Sequence, residues 1–337
     1  MRFLHAADVH LDAPMTDSRY RAQVRKSALD AFAGLIEYAR CRQIEYIVIA
    51  GDLFDRPSPD RMTASAVLEM MRSAEATFLL AAGNHDPLTE QGYCGLSLPE
   101  NVVCFGKTPQ AYSVRGGTFI GAGFFDDGVC FEPMPAATGN KIGVFHGEIG
   151  TDIDPKQIEQ WGFDYLALGH IHKGSVRRIG HTECVMPGSL TAHGFDECGE
   201  RFFFDVTVEN GAVTWERVPA EGCFFYESTV TLSEADEPAD ILDKLAAAVH
   251  MHRAQDIVRL RVTGQTAHAL PGEWAEPGRS VRILDETALP TDIKALCAGQ
   301  SLKSRFAALL CDEMEKDPLH RAEYEAALRL GLEAFEQ

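Results

Sequence analysis

Residues 77–86 read TFLLAAGNHD: a largely apolar run of strand length, then Gly83, Asn84, His85 and Asp86 in succession. A continuous apolar run of this length suits a strand buried on both faces. The glycine turns the chain and sets three polar groups at one spot. The same pattern recurs on either side. Upstream, residues 3–7 end in Asp8-Val9-His10, and residues 46–50 (YIVIA) end in Gly51-Asp52. Downstream, residues 142–145 end in His146-Gly147, and residues 165–168 end in Gly169-His170-Ile171-His172. Helical candidates separate the early runs. Residues 18–42 carry Ala28, Leu29, Phe32, Leu35, Ile36 and Ala39 on one face, and residues 60–74 follow Pro57 and Pro59. Strand alternating with helix predicts an α/β fold, in which ligands sit beyond the carboxyl ends of the strands. Every polar cluster lies at such an end.

From residue 101 to 218 the rhythm changes to short runs separated by Gly and Asn turns, with Asn210-Gly211 as a hairpin signal. Either the sheet becomes mixed or a second sheet packs beside it. Residues 219–222 read as a boundary. Beyond it, residues 224–232 predict a strand, 239–252 a helix, 256–263 a strand, 264–278 a loop and 280–284 a further strand. Residues 302–335 predict a helical tail broken at Asp317-Pro318, with stripes at Leu309, Leu310 and Met314, then Tyr324, Leu328, Leu332 and Phe335. The expected division is 1–220, a small α+β unit at 221–290, and the tail at 291–337.

The 337 residues are 45 % hydrophobic and 24 % charged, an ordinary globular balance. No apolar run approaches the ~20 residues of a bilayer span, and MRFLHAADVHLD lacks the basic and apolar regions of a secretory signal. The nine cysteines, without a C-x-x-C, read as reduced thiols, so a cytoplasmic location is expected. The net charge of −19 argues against a generic nucleic-acid binder, whose affinity rests on phosphate neutralisation. Residues 202–300 are the most one-sided stretch, with 16 acidic and 8 basic side chains. Bound metal ions can supply the missing positive charge.

The donors gathered at the strand ends are Asp8, His10, Asp52, Asn84, His146, His170 and His172. Imidazole, carboxylate and amide oxygen without thiolate suit Mn²⁺, Fe²⁺ or Zn²⁺. Seven donors exceed one tetrahedral site, whereas two metals about 3.5–4 Å apart, sharing Asp52, would use them all and suit attack on a phosphorus centre. His85 is left over and is expected either to donate a proton to the leaving oxygen or to stabilise the transition state, with Asp86 orienting it and raising its pKa. Other histidines receive plainer readings. His5 reads as packing or as a support behind the metal-binding groups, and His250 and His252 as complements to a helix dipole. His193, after the turn at 187–190, is expected to approach the site. His181, His268 and His320 show no partner pattern.

Together, Asp8-x-His10, Gly51-Asp52, Gly83-Asn84-His85-Asp86, His146-Gly147 and Gly169-His170-x-His172 resemble the motif set of the calcineurin-like metallophosphoesterases. Within that superfamily, Gly51-Asp-Leu-Phe-Asp55 followed by Pro57, and Pro187-Gly-Ser-Leu190, resemble the SbcD-type DNA repair exonucleases. The opening at residues 8–14 is most similar to their YhaO branch. The resemblance implies a four-layer α/β/β/α sandwich, a small α+β capping domain over a DNA channel, and a helical tail that docks on an SbcC-like coiled-coil ATPase. It implies that Asp8, His10, Asp52 and His172 hold one Mn²⁺ and that Asp52, Asn84, His146 and His170 hold a second, with His85 as the catalytic histidine. DNA would be the substrate, cut from an end or within single strands, and some members form homodimers. Asp55 stands where archaeal and eukaryotic relatives carry a histidine that positions DNA. Other relatives hydrolyse nucleotides or small phosphodiesters, which the acidic charge favours, and a third class has become a non-catalytic scaffold. The complete donor set disfavours the scaffold.

Overall fold

Strand-length apolar runs build the first sheet. The computed structural model describes residues 1–14, 18–126, 128–289 and 292–335. In it β1 (Arg2–Ala6), β2 (Tyr46–Ala50), β3 (Thr77–Ala81) and β4 (Val102–Cys104) lie parallel and side by side. Parallel neighbours need crossovers, which α1 (Arg21–Arg42) and α2 (Arg61–Ser73) provide between the first three strands. The Asp60 side chain caps α2 by accepting from the Thr63 amide at 3.1 Å. Gln43, in left-handed conformation, ends α1.

After residue 104 a second sheet forms, the latter of the two arrangements the sequence allows. It is ordered β11-β12-β10-β9-β6-β5, from β5 (Gln110–Val114), β6 (Gly117–Gly121), β9 (Asn140–His146), β10 (Tyr165–Gly169), β11 (Ser175–Ile179) and β12 (Thr182–Met186). A small ribbon, β7 (Phe124–Phe125) with β8 (Gly128–Val129), and helix α3 (Pro155–Trp161) lie in its connections. The chain then returns to the first sheet as β13 (Phe202–Glu209) and β14 (Ala212–Pro219), a hairpin whose Asn210 and Gly211 both have positive φ.

Three apolar clusters bind these layers. Phe32, Leu35, Val67 and Met71 of α1 and α2 pack on Leu4, Ile47, Ile49 and Phe78 of the first sheet. The opposite face of that sheet supplies Phe3, Val48 and Leu79, which meet Phe119, Ile142, Val144 and Tyr165 of the second. Phe3 lies edge-on to Phe119 and to Tyr165, each at 5.4 Å. The far side of the second sheet holds Phe145, Leu166 and Leu168 against Ile158 and Trp161 of α3. Truncating one such fully buried ring costs about 3–5 kcal/mol.

Contacts divide the chain into two compact units, 1–224 and 225–337. In the second, β15 (Phe225–Leu232), β16 (Ile257–Gly264) and β17 (Ser280–Asp285) form an all-parallel sheet. Helix α4 (Pro238–His250) makes the first crossover, started by Pro238 and a reciprocal Glu237–Asp240 capping box. The second crossover is the loop the sequence predicts there. Its Leu270 and Trp274 pack on the Val230–Leu245–Leu260 cluster. Three helices follow: α5 (Ile293–Cys297), α6 (Leu302–Lys316) and α7 (Arg321–Ala334), the last two separated at Asp317-Pro318. Ala307, Met314, Leu328 and Leu332 form their core. Leu309 and Phe335, read as stripe residues, stay 60 % and 41 % exposed. Leu309 differs from its neighbour Leu310 because adjacent helical positions point about 100° apart. The buried Arg329 ties α7 to Asp285 at 2.6 Å and to the Thr287 carbonyl at 2.8 Å. No described helix is long and apolar enough to cross a membrane.

Candidate metal centre

The motif-bearing ends meet because β1, β2 and β3 run in one direction in the first sheet, and β9 and β10 run parallel in the second. Two glycines allow the approach. Gly51, at φ +94°, would place a Cβ 2.5 Å from His146 Cγ, and a Cβ on Gly83 would stand 2.5 Å from the Asp52 backbone nitrogen. Asp8, His10, Asp52 and His170 all adopt positive φ, at 49°, 48°, 50° and 111°. Such backbone is costly for L-residues and persists where the surroundings over-determine it, typically at functional sites.

The structure brings all seven candidate donors together. His10 Nε2 faces His172 Nε2 at 2.9 Å. His146 Nε2 lies 3.4 Å from Asp52 Oδ2 and 2.8 Å from Asn84 Oδ1, and His170 Nδ1 is 3.0 Å from the same amide oxygen. Asp8 accepts the His170 amide at 3.0 and 3.1 Å, and Asp52 accepts the His85 amide at 2.9 Å. Single donor atoms of Asp8, His10 and His172 fall within 4.8 Å of one another, as do those of Asp8, Asp52 and His146.

Three rings have their second nitrogen engaged. His10 Nδ1 meets Asp55 Oδ1 at 3.1 Å, His146 Nδ1 meets the Ala50 carbonyl at 3.0 Å, and His172 Nδ1 meets Glu197. Each acceptor takes the Nδ1 proton in a hydrogen bond and turns Nε2 inward, as outer partners of metal-binding histidines do. The Nε2 atoms of His10 and His172, 2.9 Å apart, converge as two ligands of one cation would. Electrostatics agrees. Burial pushes the Asp8 carboxyl up, with Asp52 adding to the rise. Burial also pushes Asp52 up and His146 down, but their mutual hydrogen bond and attraction outweigh it, leaving Asp52 lowered and His146 raised. Two buried carboxylates thus draw positive charge into the site. This donor set fits two divalent cations sharing Asp52.

His85 sits at the mouth, with its side chain 44 % exposed. Its ring is edge-on to His10 at 4.7 Å, and its Nδ1 donates to the Asp55 carbonyl at 3.2 Å. Asp86, expected to orient His85, faces inward instead. It accepts from the Phe54 amide at 2.9 Å, the Gly83 amide at 2.8 Å and the Tyr93 hydroxyl at 2.6 Å. Successive side chains of a tight turn diverge, so adjacency in sequence does not make them partners. Asp86 pins the turn, and burial and the Asp52 charge push its carboxyl up. Asp55 instead touches both rings, its carboxylate meeting His10 Nδ1 and its backbone carbonyl accepting from His85 Nδ1.

Glu197 escaped the sequence reading. It binds His172 Nδ1 and accepts the His193 amide at 3.0 Å, yet lies 25 residues from His172 with no local motif. Asp12 is similar: buried, it accepts the Asp60 amide at 2.8 Å and pairs with Arg56, bracing the loop that carries Asp55. His193 does approach the centre, 5.7 Å from the His10 ring, with Nε2 on Thr191 at 2.9 Å. His5 is packing: fully buried, bonded to the Tyr165 hydroxyl at 2.9 Å, its pKa pushed by burial down to about 3. His250 occupies the last turn of α4 but pairs with Glu276, whereas His252 lies past the helix, stacked on Tyr226 at 4.2 Å. His320 pairs with Asp317.

A family profile, calcineurin-like phosphoesterase, matches residues 1–174. Among curated proteins, the chain is 26 % identical to the uncharacterized metallophosphoesterase YhaO of Bacillus subtilis, over 70 % of this chain and 64 % of that one. It is 26 % identical to the DNA double-strand break repair protein Mre11 of Methanopyrus kandleri, over 66 % and 57 % of the two chains. It is 27 % identical to a subunit of the nuclease SbcCD of Escherichia coli, over 63 % and 66 %. The match therefore spans less than two-thirds of each of these relatives.

Proposed function

The chain belongs to the calcineurin-like phosphoesterase family, and on that premise we propose that it is a two-metal phosphodiesterase that cuts DNA as an exonuclease or endonuclease. The observation that carries the reading is the convergence of two imidazole nitrogens, Nε2 of His10 and of His172, 2.9 Å apart beside the buried carboxylates Asp8 and Asp52. Asp8, His10, Asp52 and His172 would hold one ion, and Asp52, Asn84, His146 and His170 the other. Two divalent ions, Mn²⁺ in this reading, would supply Lewis-acid charge at the phosphoryl oxygens and a nucleophile at neutral pH. The chain's own residues do the rest. His85 stands exposed at the mouth, and its Nδ1–H is held by the Asp55 carbonyl, which leaves Nε2 free; in the imidazolium form Nε2–H would pass its proton to the leaving oxygen and the ring would be left neutral with its proton on Nδ1. Asp55 and Glu197 keep His10 and His172 in register. Asp86 keeps the loop of Asn84 and His85 in shape.

DNA as substrate is supported by two relatives named as a DNA break repair protein and a nuclease. The nuclease relative is named as a subunit, which supports a partner for this chain; in this reading the partner is an SbcC-like ATPase docking on residues 291–337, residues 221–290 form a cap, and the location is cytoplasmic. The charge of −19 favours a second reading, hydrolysis of nucleotides or small phosphodiesters. The test compares Mn²⁺-dependent hydrolysis of bis(p-nitrophenyl) phosphate and of linear DNA by wild type and His85→Ala, with bound metal measured. Loss of both activities in a variant that keeps its metal supports the nuclease and the role of His85. Cleavage of the small diester alone, even with the ATPase present, removes DNA as substrate.

A further inference from the structure

The first sheet ends in edge strand β14 and the second in edge strand β11, and a cleft of about 810 Å³ is lined by residues of both. That volume is in the range of ligand sites. His172 of the candidate centre is part of its wall, so the cleft adjoins the reacting position. The hairpin of β13 and β14 supplies the other lining groups. Phe204 stands opposite Arg217 and two positions from the partner of Trp215, so these three share one face. The Trp215 ring packs on Phe204 at 5.2 Å, and its Nε1 donates to Glu183 at 3.2 Å. Held at that edge, the indole remains 38 % exposed. Arg217 lies over Phe202 at 5.6 Å. Neither Arg217 nor Lys173 meets a carboxylate among the described residues, whereas Arg201 is bound to the carbonyls of His172 and Glu197. Asp196, Glu197 and Glu200 also line the cleft, so its charge is balanced and a ligand held by charge alone is poorly served.

We propose that this cleft is a nucleobase-stacking subsite for a single strand: the strand leaves the metal centre past His172, a base a few nucleotides from the scissile phosphate lies on Trp215, which stands level with Phe3 rather than with Asp8, and the intervening phosphates meet Lys173 and Arg217. The assignment rests on the nuclease reading and supplies what that reading lacks. A chain of charge −19 cannot rely on long-range attraction to phosphates, but stacking on an aromatic face is insensitive to net charge and tolerates any base. One stacked base changes affinity by about 5- to 100-fold.

The experiment uses the full chain. Tryptophan fluorescence, from Trp161, Trp215 and Trp274, is titrated with an octathymidylate in EDTA, where nothing is cut. The expected result is quenching in wild type that is lost in Trp215→Leu, with affinity at least fivefold weaker. Arg217→Gln keeps the indole and should weaken binding while lowering the salt slope by about one. With Mn²⁺ present, an abasic residue stepped along the strand from the cut should, at one position a few nucleotides away, lower kcat/KM at least fivefold in wild type, while Trp215→Leu cuts intact and abasic strands alike. Equal abasic penalties in the two proteins, or quenching that survives in Trp215→Leu, overturn the subsite. Equal quenching by thymidine monophosphate and by the octamer overturns its assignment to a strand. Failure of wild type to cut any DNA defeats the nuclease reading instead, and the EDTA titration still reads the cleft.

Discussion

Gly83→Ala is the sharpest perturbation of the centre. The new methyl would stand 2.5 Å from the Asp52 backbone nitrogen and 2.7 Å from its Cγ, while ordinary contact begins at 3.4 Å. Backbone cannot swing aside as a side-chain tip can, so β2's end or β3's must retreat by roughly 0.9 Å, the gap between 2.5 and 3.4 Å. Overpacking of this kind costs about 1–3 kcal/mol of stability. The larger effect falls on chemistry, because Asp52 is the carboxylate proposed to be shared by the two ions and a displacement near 1 Å lowers rates by about 10²-fold. That is about 2.7 kcal/mol of barrier. Initial rates of bis(p-nitrophenyl) phosphate hydrolysis at saturating Mn²⁺ measure it, with bound metal and thermal unfolding followed alongside. Gly128→Ala is the control, since a Cβ there meets nothing within 4 Å. A folded Gly83→Ala protein within threefold of wild-type turnover would refute the placement of Asp52 at the heart of the site.

Glu197→Gln keeps an acceptor for His172 but removes its charge; Mn²⁺ affinity by calorimetry should weaken about 10-fold, and an unchanged Kd would sink the positioning role. His5 gives a pH signature. Its folded pKa of about 3 lies below the ordinary 6.5, so between these values the unfolded chain binds a proton that the native one does not. The His5 contribution to stability is therefore flat above pH 6.5 and falls by about 1.4 kcal/mol per unit between pH 6.5 and about 3. Urea unfolding of the metal-free protein should show a shallower acid slope in His5→Gln, and parallel slopes would contradict it. Tyr93→Phe removes one of the three donors on Asp86 and should lower stability by about 1–2 kcal/mol while turnover stays within twofold; a large loss of kcat with normal stability would move Asp86 back toward the chemistry.

Much of the first unit was legible along the chain because its central strands are buried on both faces. Burial of that kind leaves unbroken apolar runs such as YIVIA and TFLLAA, and the turns that follow need glycine where another element passes close. The candidate donors were legible for the same reason: each sits within a few residues of a strand end. Their supports were not. Glu197 reaches His172 across a loop, and Asp55 reaches His10 from another strand's end. The Asp86 carboxylate turns away from the histidine beside it. Hydrogen bonds between segments far apart in sequence leave no periodicity or spacing to read.

The sequence by itself determined the strand runs, the order of the motifs and the kinds of atoms they bring, because these depend on local burial and on short-range turn chemistry. Only the tertiary structure decided that the chain builds two six-stranded sheets, that their edge strands β11 and β14 line a cleft at His172, and which nitrogen of each imidazole turns inward. Those outcomes depend on which strands pair and which distant acceptors take a proton, and pairing across more than a hundred residues is settled by packing rather than by any local preference.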